Sequence, residues 1–178
     1  GVQDVQVDGM GHVWAAVGGT KVARFIPDQE KWQAFDLPVI WRNPFLSPVR
    51  ADEEAIWATG LAGIPEGHQR HETAYRLDIS SGKLDAGVNL FYHMPPPDDP
   101  WHDDPLNYCY MMDQDQNGDF LCTAPVPSGI IRASRRTSKS TFYPTPTPHA
   151  YPRRGYRDND SQFWFSEFYA DKIAAMSL

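Results

Sequence analysis

Residues 158–167, Asp158-Asn159-Asp160-Ser161-Gln162-Phe163-Trp164-Phe165-Ser166-Glu167, decide the fold because three other stretches repeat their plan. These are Asp8-Gly9-Met10-Gly11-His12-Val13-Trp14, Asp52-Glu53-Glu54-Ala55-Ile56-Trp57 and Asp115-Gln116-Asn117-Gly118-Asp119-Phe120-Leu121. In each, an aspartate-led turn runs into a short β-branched or aromatic strand, with the aspartate five or six residues ahead of a large apolar side chain. The landmarks Trp14, Trp57, Leu121 and Trp164 lie 43, 64 and 43 residues apart. A fixed period broken by one insertion marks a repeat architecture.

A second strand follows each landmark, at 22–25, 74–78, 129–133 and 172–176, and a third follows in three copies, at 32–35, 85–91 and 140–143. With the strand ahead of each aspartate, this makes four antiparallel strands in a unit the size of one propeller blade. The 16 prolines and 13 glycines leave few windows long enough for a helix. The predicted fold is therefore all-β: a β-propeller of four-stranded antiparallel blades, one region over 1–178 with units near 1–44, 45–105, 106–151 and 152–178. A sandwich or barrel with coincidental spacing is the competing architecture. The first residue is not methionine and the last unit stops after its third strand. The expectation is thus an incomplete part of a larger propeller of the seven-bladed type, completed by missing sequence or by another chain.

Lys and Arg number 16 against 23 Asp and Glu, a net charge of −7 that repels a phosphate backbone, so no nucleic-acid partner is expected. No apolar run of about 18 residues offers a membrane-spanning segment. The N-terminus Gly1-Val2-Gln3-Asp4 is not a signal peptide.

The pattern Asp-x-x-Gly-x-x-Trp, the ending Phe35-Asp36-Leu37-Pro38 and, above all, Trp164-Phe165-Ser166-Glu167 running on to Asp171-Lys172-Ile173 resemble the repeats of virginiamycin B lyase (streptogramin lyase) propellers. The resemblance covers most of the chain and is weakest over 60–106. Such repeats also resemble those of sensor and gluconolactonase-like propellers, so the motif points to the fold more than to the reaction. For Glu167 the resemblance implies a catalytic place, shared with a histidine that follows a proline on the preceding strand and assisted by magnesium. The implied reaction is an elimination: the histidine takes a proton alpha to a carbonyl and a lactone C–O bond breaks.

Two registers compete for that histidine. Superposing the fourth unit on the first puts Pro152-Arg153 in the Pro-His place, and an always-protonated guanidinium cannot take a proton. The rival register uses Pro148-His149 and demands extra residues in the preceding strand. Glu167 and His149 are thus the catalytic candidates, with Arg153 as the other occupant of the histidine place. The arginine register is preferred. With it goes a non-catalytic binding or scaffold propeller whose loops and one propeller face take a protein or a small ligand. The alternative is a metal-assisted C–O lyase acting on a cyclic ester or depsipeptide, and only that alternative asks for magnesium. Glu167 could instead be a surface carboxylate or an ion-pair partner of Arg153 or Arg154, since structural ion pairs mimic functional sites.

The binding candidates are Arg153, Arg154 and Trp101. Trp101 stands among five prolines in the connection 93–105, where stiffness suits an interface anchor for a protein partner. If 107–112 and 119–124 pair across a turn at 113–118, Met112 faces Asp119 and Cys109 faces Cys122, so the two cysteines are disulfide candidates. A bridge suits an oxidising compartment, and a periplasmic or secreted protein is expected.

Three other clusters read as structure. Asp113-Gln114-Asp115-Gln116-Asn117-Gly118 matches the start of a calcium loop, but Ala124 stands where the bidentate glutamate belongs and the same residues form the repeat's own turn. His68, His71 and Glu72, like His102-Asp103-Asp104, lack the further ligand of a zinc site and read as solvated loops. The basic residues Arg132, Arg135, Arg136 and Lys139 read as a solvated hairpin on an acidic chain.

Overall fold

The computed structural model of the chain describes residues 1–17, 20–41, 55–62, 71–89, 109–126, 128–137 and 139–178. Its strands form four antiparallel sheets, each a meander of sequence neighbours. The first joins β1 (Val2–Val7), β2 (Val13–Val17), β3 (Lys21–Ile26) and β4 (Lys31–Asp36). The second joins β5 (Val39–Trp41), β6 (Ala55–Ala62), β7 (His71–Asp78) and β8 (Leu84–Asn89). The third joins β9 (Met111–Gln114), β10 (Phe120–Ala124), β11 (Gly129–Ala133) and β12 (Ser140–Pro144), and the fourth joins β13 (Pro152–Arg157), β14 (Gln162–Glu167) and β15 (Lys172–Ser177). The fold is all-β, built of propeller-blade sheets, and among the described residues the only helices are single 3-10 turns at Pro27–Gln29 and Phe168–Ala170. No helix of the described residues is long and apolar enough to cross a membrane.

The repeat aspartate is explained by the work of its carboxylate. Asp8 Oδ1 accepts the backbone N–H groups of Met10 and His12, and Oδ2 accepts the Trp14 indole N–H at 2.8 Å. Asp158 does the same with Asp160, Gln162 and the Trp164 indole at 2.7 Å. One side chain thereby closes the turn between the first two strands and pins the landmark aromatic six residues on. In the third sheet Leu121 has no N–H to give. There Asp115 keeps the backbone bonds to Asn117 and Asp119, and its second oxygen pairs with Arg132, the cross-strand neighbour of Leu121. The third residue after each of these aspartates lies in the left-handed region: Gly11 (φ 82°), Gly118 (φ 78°) and Ser161 (φ 63°). Glycine takes that conformation without strain and serine does not.

Two compact units divide the chain, Gly1–Val88 and Asn89–Leu178. In the first unit, Trp14, Ala16 and Val22 of the first sheet pack on Ile56, Ala58, Tyr75 and Leu77 of the second. Arg24 lies 5.2 Å from the Trp14 ring centroid, and its guanidinium also bonds Gln33 and the carbonyl of Ile79 beyond β7, tying the two sheets. In the second unit, Leu121 and Ile130 pack on Phe163 and Phe165, with Ala174 and Met176 at the margin. The Arg157 backbone N–H donates to Asp113 across the same boundary at 2.6 Å.

Two expectations need correction. His71 and Glu72 were expected in a solvated loop, but β6 and β7 run on to pair Leu61 with Glu72 and Ala62 with His71, so the connection between the strands is 63–70. The hairpin of β9 and β10 is shifted by three residues: Cys122 faces Met112, not Cys109. Its cause is the aspartate turn, where the Asp115 N–H bonds the Asp119 carbonyl at 2.8 Å and lets the strands extend to Gln114 and Phe120. Cys109 lies ahead of β9, before a bend at Tyr110, with its Cα 5.4 Å from that of Cys122, and the two form a disulfide. The pairing partner was right, although the cross-strand register that suggested it was not.

Candidate functional site

The strand β14 alternates as its sequence demands. Phe163, Phe165 and Glu167 point to the buried face, while Trp164 on the other face is 48 % exposed. Glu167 closes the strand and is only 1 % exposed, so it is not a surface carboxylate. Its Oε1 accepts no hydrogen bond from any described residue, and no ion pair joins it to Arg153 or Arg154. A buried, unpaired carboxylate oxygen costs stability, so its presence needs a reason beyond packing.

The position opposite Glu167 on β13 is Pro152. The pairing slips by one residue between Pro152 and Gly155, so Arg153 and Arg154 sit in a bulge, a device that re-aims side chains. Arg153 turns inward: its guanidinium lies 4.1 Å from the Phe168 ring centroid, 5.0 Å from Tyr110 and 5.7 Å from Tyr151, and its Nε is buried without a hydrogen-bond partner among the described residues. Its carbonyl accepts the Thr123 hydroxyl, which fixes the bulge to β10. Arg154 turns outward, with Nη1 3.5 Å from the Met111 sulfur. Tyr169, stacked on Tyr151 at 4.6 Å, and Phe168 extend the aromatic wall to the surface. The result is an arginine held between rings, one residue along β13 from the proline that pairs with Glu167, whose Oε1 is buried and accepts no hydrogen bond from the described residues.

His149 stands elsewhere. It precedes β13 by three residues, is exposed, and has a left-handed backbone (φ 53°). Nor do the residues fit a magnesium ion. Among the described residues no three His, Cys, Asp or Glu side chains gather as a metal site, and the strand position next to Glu167's partner carries a fixed cation. Asp113, within β9, and Asp115, at the turn, spend their carboxylates on the N–H groups of Gln114, Asn117, Asp119 and Arg157 and on Arg132, so both serve the fold. Trp101, the connection 93–105, His68 and His102-Asp103-Asp104 lie outside the described residues. Sequence reasoning missed the rings around Arg153. Phe168 and Tyr151 flank the motif residues and were within view, whereas Tyr110 comes from 43 residues away and nothing local announces it.

The turn carboxylates are tuned by their hydrogen bonds. Burial alone would raise the Asp8 carboxyl, but the Trp14 indole, the His12 and Met10 backbone N–H groups and the His12 ring outweigh it and hold it below the usual carboxylate range. Asp158 is lowered by the Gln162 backbone N–H first, then by the Trp164 indole. Both are structural anions.

No protein-family model and no curated protein matches the sequence. Among solved structures, the chain is similar to a catalytically inactive virginiamycin B lyase from Staphylococcus aureus with quinupristin, at 16 % identity and a TM-score of 0.55, over 99 % of this chain and 66 % of that one. It is also similar to a gluconolactonase from Xanthomonas campestris, at 14 % identity and 0.62, over 93 % of this chain and 53 % of that one. A third likeness is to YCF48 bound to a D1 peptide, at 11 % identity and 0.61, over 99 % and 51 %. At these identities the likeness establishes the β-propeller fold, and the chain spans about two thirds or less of each of these proteins.

Proposed function

We propose that this chain is a binding propeller, without catalysis, that takes a peptide-type group at Arg153 and Glu167. The observation that carries the reading is a pair of buried polar atoms with no hydrogen-bond partner among the described residues, the Arg153 Nε–H donor and the Glu167 Oε1 acceptor, on neighbouring strands of one sheet. An amide offers one C=O for the arginine and one N–H for the carboxylate, and the exposed rings of Phe168 and Tyr169 supply apolar contact for a neighbouring side chain. Two similar propellers hold such ligands by their descriptions, one a D1 peptide and one quinupristin. The Cys109–Cys122 bridge supports a periplasmic or secreted location for this binding.

The lyase reading rests on Glu167 at the end of β14 and needs a base within hydrogen-bond reach of the proton it removes. The preference for binding follows the register that sets Arg153, a guanidinium that cannot take a proton, in the histidine place, and the exposed position of His149 supports it. Panning a peptide library on the immobilised chain, with counter-selection on Arg153→Ala, tests the proposal. Recovered peptides should bind the wild type at least about tenfold more tightly than Arg153→Ala or Glu167→Gln, the loss of one charge-assisted hydrogen bond. Enrichment that survives both substitutions, or none at all, overturns it.

A further inference from the structure

The disulfide and the candidate site meet at one point of the second unit. Cys109 and Cys122 are both buried, and the residue that follows each of them reaches the same arginine. Tyr110 sets its ring 5.0 Å from the Arg153 guanidinium and 6.0 Å from that of Arg154, so one ring reaches both residues of the β13 bulge. Thr123 donates its hydroxyl to the Arg153 carbonyl. These two neighbours are also joined to each other, for the Tyr110 backbone N–H donates to the Thr123 carbonyl at 2.8 Å.

Their footings differ. Thr123 lies inside β10, paired with Met111 on one side and Ile130 on the other, and its hydroxyl also accepts the Met111 N–H at 3.1 Å. Tyr110 is a bend just ahead of β9, outside the regular ladder. Strand ends open at little cost, and a covalent tie limits that opening. The bridge supplies it, fastening the bend to β10 with the Cα atoms of Cys109 and Cys122 5.4 Å apart. Arg153 depends on that footing, because its Nε has no hydrogen-bond partner among the described residues and the contacts that aim its guanidinium are rings. A cation follows the ring face it lies on, so where Tyr110 sits decides where the charge sits.

We propose that the Cys109–Cys122 bridge is a positioning element of the peptide site: it holds Tyr110 against Arg153 and so aims the Arg153 Nε–H at the carbonyl of the bound amide. The consequence for binding rests on the peptide reading given above, whereas the placement of the arginine does not.

The Arg153 Nε–H resonance of an isotope-labelled chain, assigned by its absence from Arg153→Ala, tests the placement. A proton held over ring faces resonates upfield of the ordinary arginine position, and the wild type should show this. Cys109→Ala together with Cys122→Ala should return the signal to the ordinary position while the backbone amides keep the dispersion of a folded chain. Tyr110→Leu should do the same with the bridge intact, and Tyr110→Phe, which keeps the ring, should keep the shift. The peptide most enriched by the panning should bind the cysteine variant and Tyr110→Leu about tenfold more weakly, the loss expected when a charge-assisted hydrogen bond is misaimed, and should bind Tyr110→Phe as it binds the wild type. A signal that stays upfield without the bridge, or one that moves with no change in affinity, overturns the proposal. Should the cysteine variant fail to fold, Tyr110→Leu still decides, since the bridge acts through that ring and an unmoved signal there overturns the proposal. Panning that yields no peptide denies the peptide reading, and the signal then decides the placement alone.

Discussion

The first and fourth sheets use one local plan and differ in what covers it. Both set an aspartate to hold a turn and a tryptophan indole, yet Trp14 is fully buried under the second sheet while Trp164 is half exposed. They differ again at the end of the second strand, where Val17 of the first sheet corresponds to Glu167 of the fourth. The shared residues build the blade. Glu167 and the bulged Arg153 differ between copies and, with Arg157, are among the described residues left with unspent hydrogen-bonding capacity. Divergence between repeats is thus where binding is sought.

Truncating the two tryptophans breaks the comparison most strongly. Trp14→Ala opens a cavity in the first unit and should cost about 3–5 kcal/mol by urea unfolding, against about 1 kcal/mol for Trp164→Ala, which loses mainly a surface hydrogen bond. Equal losses would mean that cover does not distinguish the two sheets.

The second unit has a covalent tie among its described residues. Replacing Cys109 and Cys122 by alanine should cost about 3 kcal/mol, the loop-closure value for a short loop, and the loss should appear in the hydrogen exchange of β9–β12 before that of β1–β4. Protection lost uniformly over both units would contradict this.

At the divergent position the sign reverses. Glu167→Leu removes an unpaired buried oxygen and should stabilise the chain by about 1–3 kcal/mol while abolishing peptide binding. A destabilisation of similar size would show that the carboxylate has a structural partner.

Smallest is the acid response of the turns. The Asp8 and Asp158 carboxyls are lowered in the fold, so the stability they give is complete above pH about 4 and is lost as pH falls through their folded pKa values. Asp8→Asn and Asp158→Asn should each flatten the fall of stability with pH below about 4. A slope unchanged from wild type would deny the turns that role.

The blade was legible because its code is local. The aspartate, its turn and its aromatic lie within seven residues, and the alternation of Phe163 with Trp164 reads straight off the strand. The β9–β10 register was not legible, because a carboxylate accepting from two backbone N–H groups shortens the turn without changing its composition. Glu167 could be picked out by its motif. Its burial could not, since that depends on the sheet packed against it, and neither could the place of Tyr110 under Arg153.

The proposed binding role has Arg153 in the place where elimination would need a base, so that the site binds without turnover. Incubating the chain with quinupristin and magnesium, and following it by reversed-phase chromatography, tests this most directly, because opening a lactone by elimination leaves the mass unchanged. The ring should stay intact at every time point. A linear product that forms with the wild type and vanishes with Glu167→Gln would contradict it.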